Sequence, residues 1–124
     1  MSVKRPSDIS ATFAKLLNDR DRSGLLDLYS DGAILTVDGT TVARGRAEIE
    51  KLVAPFFDGP LKLVANCGSC YEMGDTALVR TDWKLMAPDG SVAMAGASAE
   101  VLRRGADGRW HFVVDDATYA SRSV

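Results

Sequence analysis

After Pro60 the chain never returns to a helical period. Residues 61–73, 76–87, 91–104 and 109–118 read as long strands, parted by Gly74-Asp75, Pro88-Asp89-Gly90 and Gly105-Ala106-Asp107-Gly108. These clusters are turn signals, because glycine accepts the positive φ of a tight reversal and Asp bonds its own backbone. Long strands joined by tight turns pair with their neighbours, so the spacing predicts a four-stranded antiparallel meander. Such a sheet has to cover one face, and the first sixty residues are what remains to do it.

Those residues are mostly helical in pattern. Ser7 or Asp8 can cap a helix whose apolar positions Ile9, Phe13, Leu16 and Leu17 recur three and four apart. Asn18-Asp19-Arg20-Asp21 ends it. A second short helix is expected through Leu25, Leu26, Leu28 and Tyr29, closed by Gly32. Ala33-Ile34-Leu35-Thr36-Val37 reads as a strand, Asp38-Gly39 as a turn and Thr41–Arg44 as a brief return. Gly45 opens a third helix through Ala47, Ile49, Leu52, Val53 and Phe56, and Gly59-Pro60 stops it. The layout is α+β, one domain over residues 1–124, with 1–6 and 119–124 expected to be loosely ordered.

Composition narrows the function. Apolar residues at 46% and charged ones at 26% are the proportions of a globular chain. The net charge of −2 is scattered, which excludes the basic footprint of a nucleic-acid binder. No apolar run suits a membrane span. Lys4 and Arg5 near the start have no apolar stretch behind them, so the expected compartment is the cytoplasm. No Gly-rich phosphate loop, nucleophile elbow or metal-binding helix motif occurs, so neither a cofactor nor a metal is expected.

Cys67-Gly68-Ser69-Cys70 has the C-x-x-C spacing, but its flanks read as strand rather than as the helix start that activates a redox thiol. On a strand, residues three apart diverge unless Gly68 forms a bulge. A zinc site would need two further ligands, and His111 is the single histidine. Structural cysteines are the favoured reading.

In 76–87, Ala77, Val79, Thr81, Trp83 and Leu85 form the inner face by burial logic, and Leu78, Arg80, Asp82, Lys84 and Met86 the outer one. Alternation nearly vanishes in 91–104. Ala93, Ala95, Ala97, Ala99 and Val101 share one face; Val92, Met94, Gly96, Ser98, Glu100 and Leu102 share the other. The small alanines either lie under Trp83 or floor a cavity. The opposite face then suits a second subunit, and Gly96→Arg is expected to split that dimer.

Three segments carry a resemblance. They are Leu25-Leu26-Asp27-Leu28-Tyr29-Ser30-Asp31-Gly32-Ala33, then Asp38-Gly39 with Val42-Ala43-Arg44-Gly45-Arg46-Ala47-Glu48-Ile49, and finally Asp107-Gly108-Arg109-Trp110-His111-Phe112-Val113-Val114-Asp115-Asp116. In order and spacing the chain resembles, over residues 7–118, the SnoaL-like branch of the nuclear-transport-factor-2-like (cystatin-like fold) superfamily. The resemblance implies a cone-shaped α+β barrel, with about three N-terminal helices packed on a curled antiparallel sheet. It also implies a mostly apolar pocket at the mouth and commonly a homodimer. Its members range from ketosteroid isomerases, polyketide cyclases and dehydratases to small hydrolases and non-catalytic binding domains, so activity has to be argued from the site.

The isomerase pattern fails here. Its tyrosine falls at Phe13, its base at Val37 with Asp38 one residue away, and its protonated acid near Ala99. Polyketide cyclases of the group use an acidic residue in an apolar cavity. The candidates are Asp115 and Asp116, with Asp38 and Asp82 behind them. Adjacent strand residues face opposite sides, so one of the pair at most points inward. The core face Trp110, Phe112 and Val114 would carry Asp116 inward, whereas family position favours Asp115 as catalytic acid/base. Phe13, Tyr29, Val37 and Phe56 are the expected ligand-binding residues of the first half, and Val79, Trp83, Ala97 and Ala99 those of the second. The partners expected are a small hydrophobic molecule in the barrel and a second copy across the outer sheet face, with no nucleic acid and no membrane. The function implied is ligand binding, with a cofactor-independent cyclase, isomerase or dehydratase reaction. The alternative is a non-catalytic ligand-binding or dimerisation module.

Overall fold

A computed structural model describes residues 2–122. A single 3-10 turn, Pro6–Asp8, leads into α1 (Ile9–Asn18), followed by α2 (Arg22–Asp27), β1 (Tyr29–Thr36), β2 (Val42–Arg44) and α3 (Arg46–Asp58). Then come β3 (Lys62–Met73), β4 (Thr76–Met86), β5 (Val92–Ala97), β6 (Ala99–Arg104) and β7 (Trp110–Asp116). Sheet order is β2-β1-β7-β6-β4-β3, with β5 also paired to β4. The meander is present, its third strand bent at Ser98 into β5 and β6. It is extended by β1, which runs parallel to β7. Together with the three helices this makes a curled mixed sheet of the α+β class.

Tyr29 does not close the second helix. α2 stops at Asp27, and Tyr29 is the first residue of β1, opposite Phe112 of β7. Gly32, read as a helix C-cap, lies instead within β1 at φ +74, where the register between Tyr29 and Ile34 shifts. Asp21 caps α2 by accepting from the Gly24 N–H at 2.9 Å. Asp8 precedes α1 but spends its side chain on Arg5 rather than on a cap.

The core is continuous from helices to sheet. Ile9, Leu25, Tyr29, Ile49, Leu102, Trp110 and Phe112 are each at most 1% exposed. Phe112 stands between Tyr29 (centroids 4.8 Å apart) and the edge of Phe13 (6.1 Å), which ties α1 to the β1–β7 seam. Arg20 takes the left-handed conformation at φ +58 and donates to the carbonyls of Leu17, Phe56, Gly59 and Leu61, locking the ends of α1 and α3 together. The first described residues are held too: Val3 is 2% exposed and its carbonyl accepts from the Trp110 N–H. Near the other end, Ser121 bonds Ala97 and Arg122 pairs with Asp116, so both ends of the described chain make contacts with the sheet. Met1, Ser123 and Val124, also expected to be loose, lie outside the described residues. No described helix is long and apolar enough to cross a membrane.

Gly68 does form a bulge. Cys67 sits opposite Thr81, Ser69 opposite Arg80 and Cys70 opposite Val79. The extra residue brings both cysteines to the inward-facing rows, where they pack as half-buried side chains on the core. A Cβ at Gly68 would meet the Asp82 carboxylate, which would have to swing aside to admit a larger residue in the bulge.

Candidate functional site

The inner face of β4 is the expected one, with Ala77, Val79, Thr81 and Leu85 buried and Trp83 half-buried. The β4–β5 register then decides the faces of the next strand. Ala95 lies opposite Lys84 and Ala97 opposite Asp82, both outward; Gly96 lies opposite Trp83 and Met94 opposite Leu85, both inward. The alanines therefore line the outside, and the set Met94, Gly96, Ser98, Glu100 and Leu102 turns in, the reverse of the expectation. Size complementarity explains it: a Cβ on Gly96 would stand 2.7 Å from Cζ2 of Trp83, so only glycine leaves room for the indole. A side chain at Gly96 would thus point at Trp83 rather than at a partner, so the Gly96→Arg expectation for a dimer loses its basis.

This reversal brings Glu100 inside. It is the direct cross-strand partner of Asp115, and Leu35 of β1 is Asp115's partner on the other side. Asp115 points inward because β7 carries an extra residue: Val101 pairs with Val114, but Leu102 pairs with Phe112, leaving Val113 bulged out. Simple alternation from Trp110 and Phe112 would have turned Asp116 in. The bulge turns Asp115 in, at 5% exposure, and leaves Val114 on the outer face. Asp116 faces away and is held by Arg122 at 2.6 and 2.8 Å.

Both inner acids are tethered by hydroxyls. The Tyr29 hydroxyl donates to Asp115 Oδ2 at 2.7 Å. Thr81 donates to Glu100 Oε1 at 2.9 Å, and Ser98 to Oε2 at 3.0 Å. Ser98 itself accepts the Thr81 N–H, and Ser10 on α1 lies 2.7 Å from the Thr81 hydroxyl. Burial pushes the Glu100 carboxyl up to about 8, with the facing Asp115 adding to the rise against the Thr81 and Ser98 hydrogen bonds. Burial likewise pushes Asp115 up to about 7, opposed by the Tyr29 hydrogen bond and assisted by the neighbouring charge of Asp116. The two titrate as a pair near neutrality. Tyr29 is raised well above the ordinary phenol value, first by burial and then by Asp115.

The pair opens onto a cavity of about 100 Å³ under the curl of the sheet. Its walls are almost wholly apolar. Of the expected ligand-binding residues, Phe13, Tyr29, Val37, Phe56 and Trp83 line it. Val79 is buried in the core at 1% exposure rather than in the wall, while Ala97 and Ala99 lie on the outward side, Ala97 covered by the turn at 117–122. Trp83 closes one side, its indole N–H donating to the Ala117 carbonyl at 2.7 Å. Asp38 sits in an exposed turn accepting from the Thr40 and Thr41 N–H groups, and Asp82 pairs with Arg80 on the outer face. Neither reaches the cavity. Glu100, Ser98 and Ser10 went unanticipated; the glycine two residues before Ser98, facing a tryptophan, was the signal that its row faces in.

The chain's fold is shared by solved structures of low sequence identity. A putative calcium/calmodulin-dependent protein kinase type II association domain from Thiobacillus denitrificans matches with TM-score 0.81 at 20% identity, over 95% of this chain and 97% of that one. A ketosteroid isomerase-like protein from Erwinia carotovora atroseptica matches at 0.68 and 20%, over 90% and 91%. An NTF2-like protein with a cystatin-like fold from Novosphingobium aromaticivorans matches at 0.71 and 23%, over 92% and 79%. These likenesses define the class: a nuclear-transport-factor-2-like, cystatin-like α+β fold. No curated protein matches the chain in sequence. The SnoaL-like domain family matches residues 10–113, and the chain belongs to that family.

Proposed function

We propose that this protein binds a small, mainly hydrophobic molecule in the cavity and that Asp115 exchanges a proton with it, in a cofactor-independent reaction of the cyclase, isomerase or dehydratase kind. One observation carries the reading. Asp115 is held through Oδ2 by Tyr29, while Oδ1 has no protein partner and every buried side-chain polar atom among the described residues has one. Oδ1 therefore opens onto the cavity, on a carboxyl that gains and loses its proton near pH 7, where an acid/base catalyst works best. Glu100 is held on both oxygens and faces Asp115 from across the strand pair.

The test is a thermal-shift screen of small apolar carbonyl compounds on wild type and Asp115→Asn in parallel. A ligand at about 100 times its Kd adds roughly 2.7 kcal/mol, a shift of several degrees. Shifts lost in the variant support the reading. Equal shifts in both proteins leave a binding cavity without an acid/base role for Asp115.

A specific observation also favours self-association, the second reading. Tyr71, Leu78, Val101 and Val114 are successive cross-strand partners on the outer face, and Tyr71 and Leu78 are 67% and 49% exposed. An apolar row across four strands suits a second copy of the same face. Leu78→Asp is expected to halve the mass seen by light scattering, and an unchanged mass rejects this interface. Two unpaired thiols fit a reducing, cytoplasmic compartment.

A further inference from the structure

The inner acids lack a counter-charge. Glu100 and Asp115 are directly opposite on neighbouring antiparallel strands, a placement in which like charges repel. Both are at most 6% exposed. Among the described residues, no lysine, arginine or histidine lines the cavity. An unpaired buried charge is costly, and proteins normally place a cation beside it.

The hydroxyls nevertheless present Glu100 and Asp115 as acceptors. Thr81 and Ser98 each spend a proton on Glu100, and Tyr29 spends its proton on Asp115. Ser10 on α1 lies 2.7 Å from the Thr81 hydroxyl and joins the relay around the acids. Donors aimed at three of four carboxyl oxygens suit ionised groups, and the fourth, Asp115 Oδ1, faces the cavity without a partner. Four aromatic side chains, Phe13, Tyr29, Phe56 and Trp83, stand in the same walls, and ring faces attract cations.

We propose that the cavity is built for a protonated amine: a small apolar molecule whose ammonium group lies between Asp115 and Glu100 and supplies the positive charge the protein leaves out. An anionic ligand would meet two like charges. A bare divalent ion is disfavoured, because no group of three metal-ligating side chains gathers among the described residues and the walls are apolar. The inference rests on the cavity being a ligand site but not on its being catalytic.

Binding is then linked to protons. The titratable groups near the pair are Tyr29 on β1, Cys67 on β3 and Asp116 beside Asp115 on β7. The helices contribute Ser10, Phe13, Leu17, Leu25, Val53 and Phe56 to the lining, none of them titratable at neutral pH. An arriving ammonium draws the acids into their ionised forms, and the displaced protons leave to buffer.

The experiment is calorimetry at pH 7.5 with benzylamine, benzyl alcohol and benzoate, three probes of one shape and three charges. Benzylamine is expected to bind at least tenfold more tightly than benzyl alcohol, with benzoate weakest. Repeating the titration in buffers of different ionisation heat is expected to show net proton release with benzylamine alone. Asp115→Asn and Glu100→Gln are each expected to weaken benzylamine at least tenfold, and by about five times more than they weaken benzyl alcohol. Benzyl alcohol binding as tightly as the amine overturns the proposal, as does amine binding indifferent to both substitutions. Neutral probes binding without the amine overturn it while leaving the cavity a ligand site. Binding of none of the three, with the carbonyl screen also empty, overturns both readings.

Discussion

Across the same two strands the sheet treats acids in opposite ways. On the outside, Asp116 is gripped by Arg122, and the turn acids Asp38 and Asp107 are held below the usual carboxylate range, Asp38 by backbone N–H groups and Asp107 first by Arg109. On the inside, one residue away, Asp115 meets only Glu100 and hydroxyls, and both carboxyls are driven up by burial. The turn acids Asp38 and Asp107 favour folding when ionised; the inner ones oppose it. Acids kept at a stability cost beside a cavity are what the proposed ligand site calls for.

The contrast can be broken from several directions. The largest effect is expected from Phe112→Ala, which removes the ring packed between Tyr29 and Phe13 and with it the alignment of Asp115. Urea unfolding is expected to register a loss of about 3–5 kcal/mol. Next comes pH. Because the inner acids have raised folded values, their penalty is absent below the unfolded carboxylate range near pH 4 and grows as pH rises toward 7–8. Stability is expected to fall by roughly 3 kcal/mol or more between pH 5 and pH 8, and the double variant Asp115→Asn with Glu100→Gln is expected to flatten the profile. A flat wild-type profile would mean the inner acids are not desolvated. The outer turn acids act with the opposite sign, losing their contribution only as pH falls below about 4.

Gly96→Ala sharpens the assignment of faces. Its methyl would press on the Trp83 ring, with an expected loss of about 1–3 kcal/mol by thermal unfolding and no change in oligomeric state. Smallest is Asp116→Asn, which weakens a half-buried ion pair on the outer side at a cost of about 1 kcal/mol and is expected to leave cavity ligands binding as before. A loss of binding there as large as in Asp115→Asn would put the wrong aspartate inside.

Much of the fold was legible because its signals are local. The turns at Gly74, Gly90 and Gly108 all take positive φ, and the strands between them begin and end within a few residues of the expected places. Faces were harder, because a face is a property of pairing. Glu100 looked like an outward residue beside four alanines until the register set Gly96 against Trp83. Asp115 and Asp116 could not be separated by alternation, since the bulge at Val113 changes the phase of β7 without any glycine to announce it. The bulge at Gly68 was foreseeable as a possibility for the opposite reason. Tyr29 was misplaced because the apolar run Leu25, Leu26, Leu28 and Tyr29 continues a helical period through a break that only the parallel pairing with β7 imposes.

The two indoles give the molecule an optical division of labour. Trp83 forms a wall of the cavity with its N–H fixed to Ala117, whereas Trp110 is sealed in the core at 1% exposure. A guest entering the cone touches the first chromophore and leaves the second alone. With Trp110→Phe, emission from Trp83 becomes a direct report of occupancy; with Trp83→Phe, Trp110 follows the integrity of the fold.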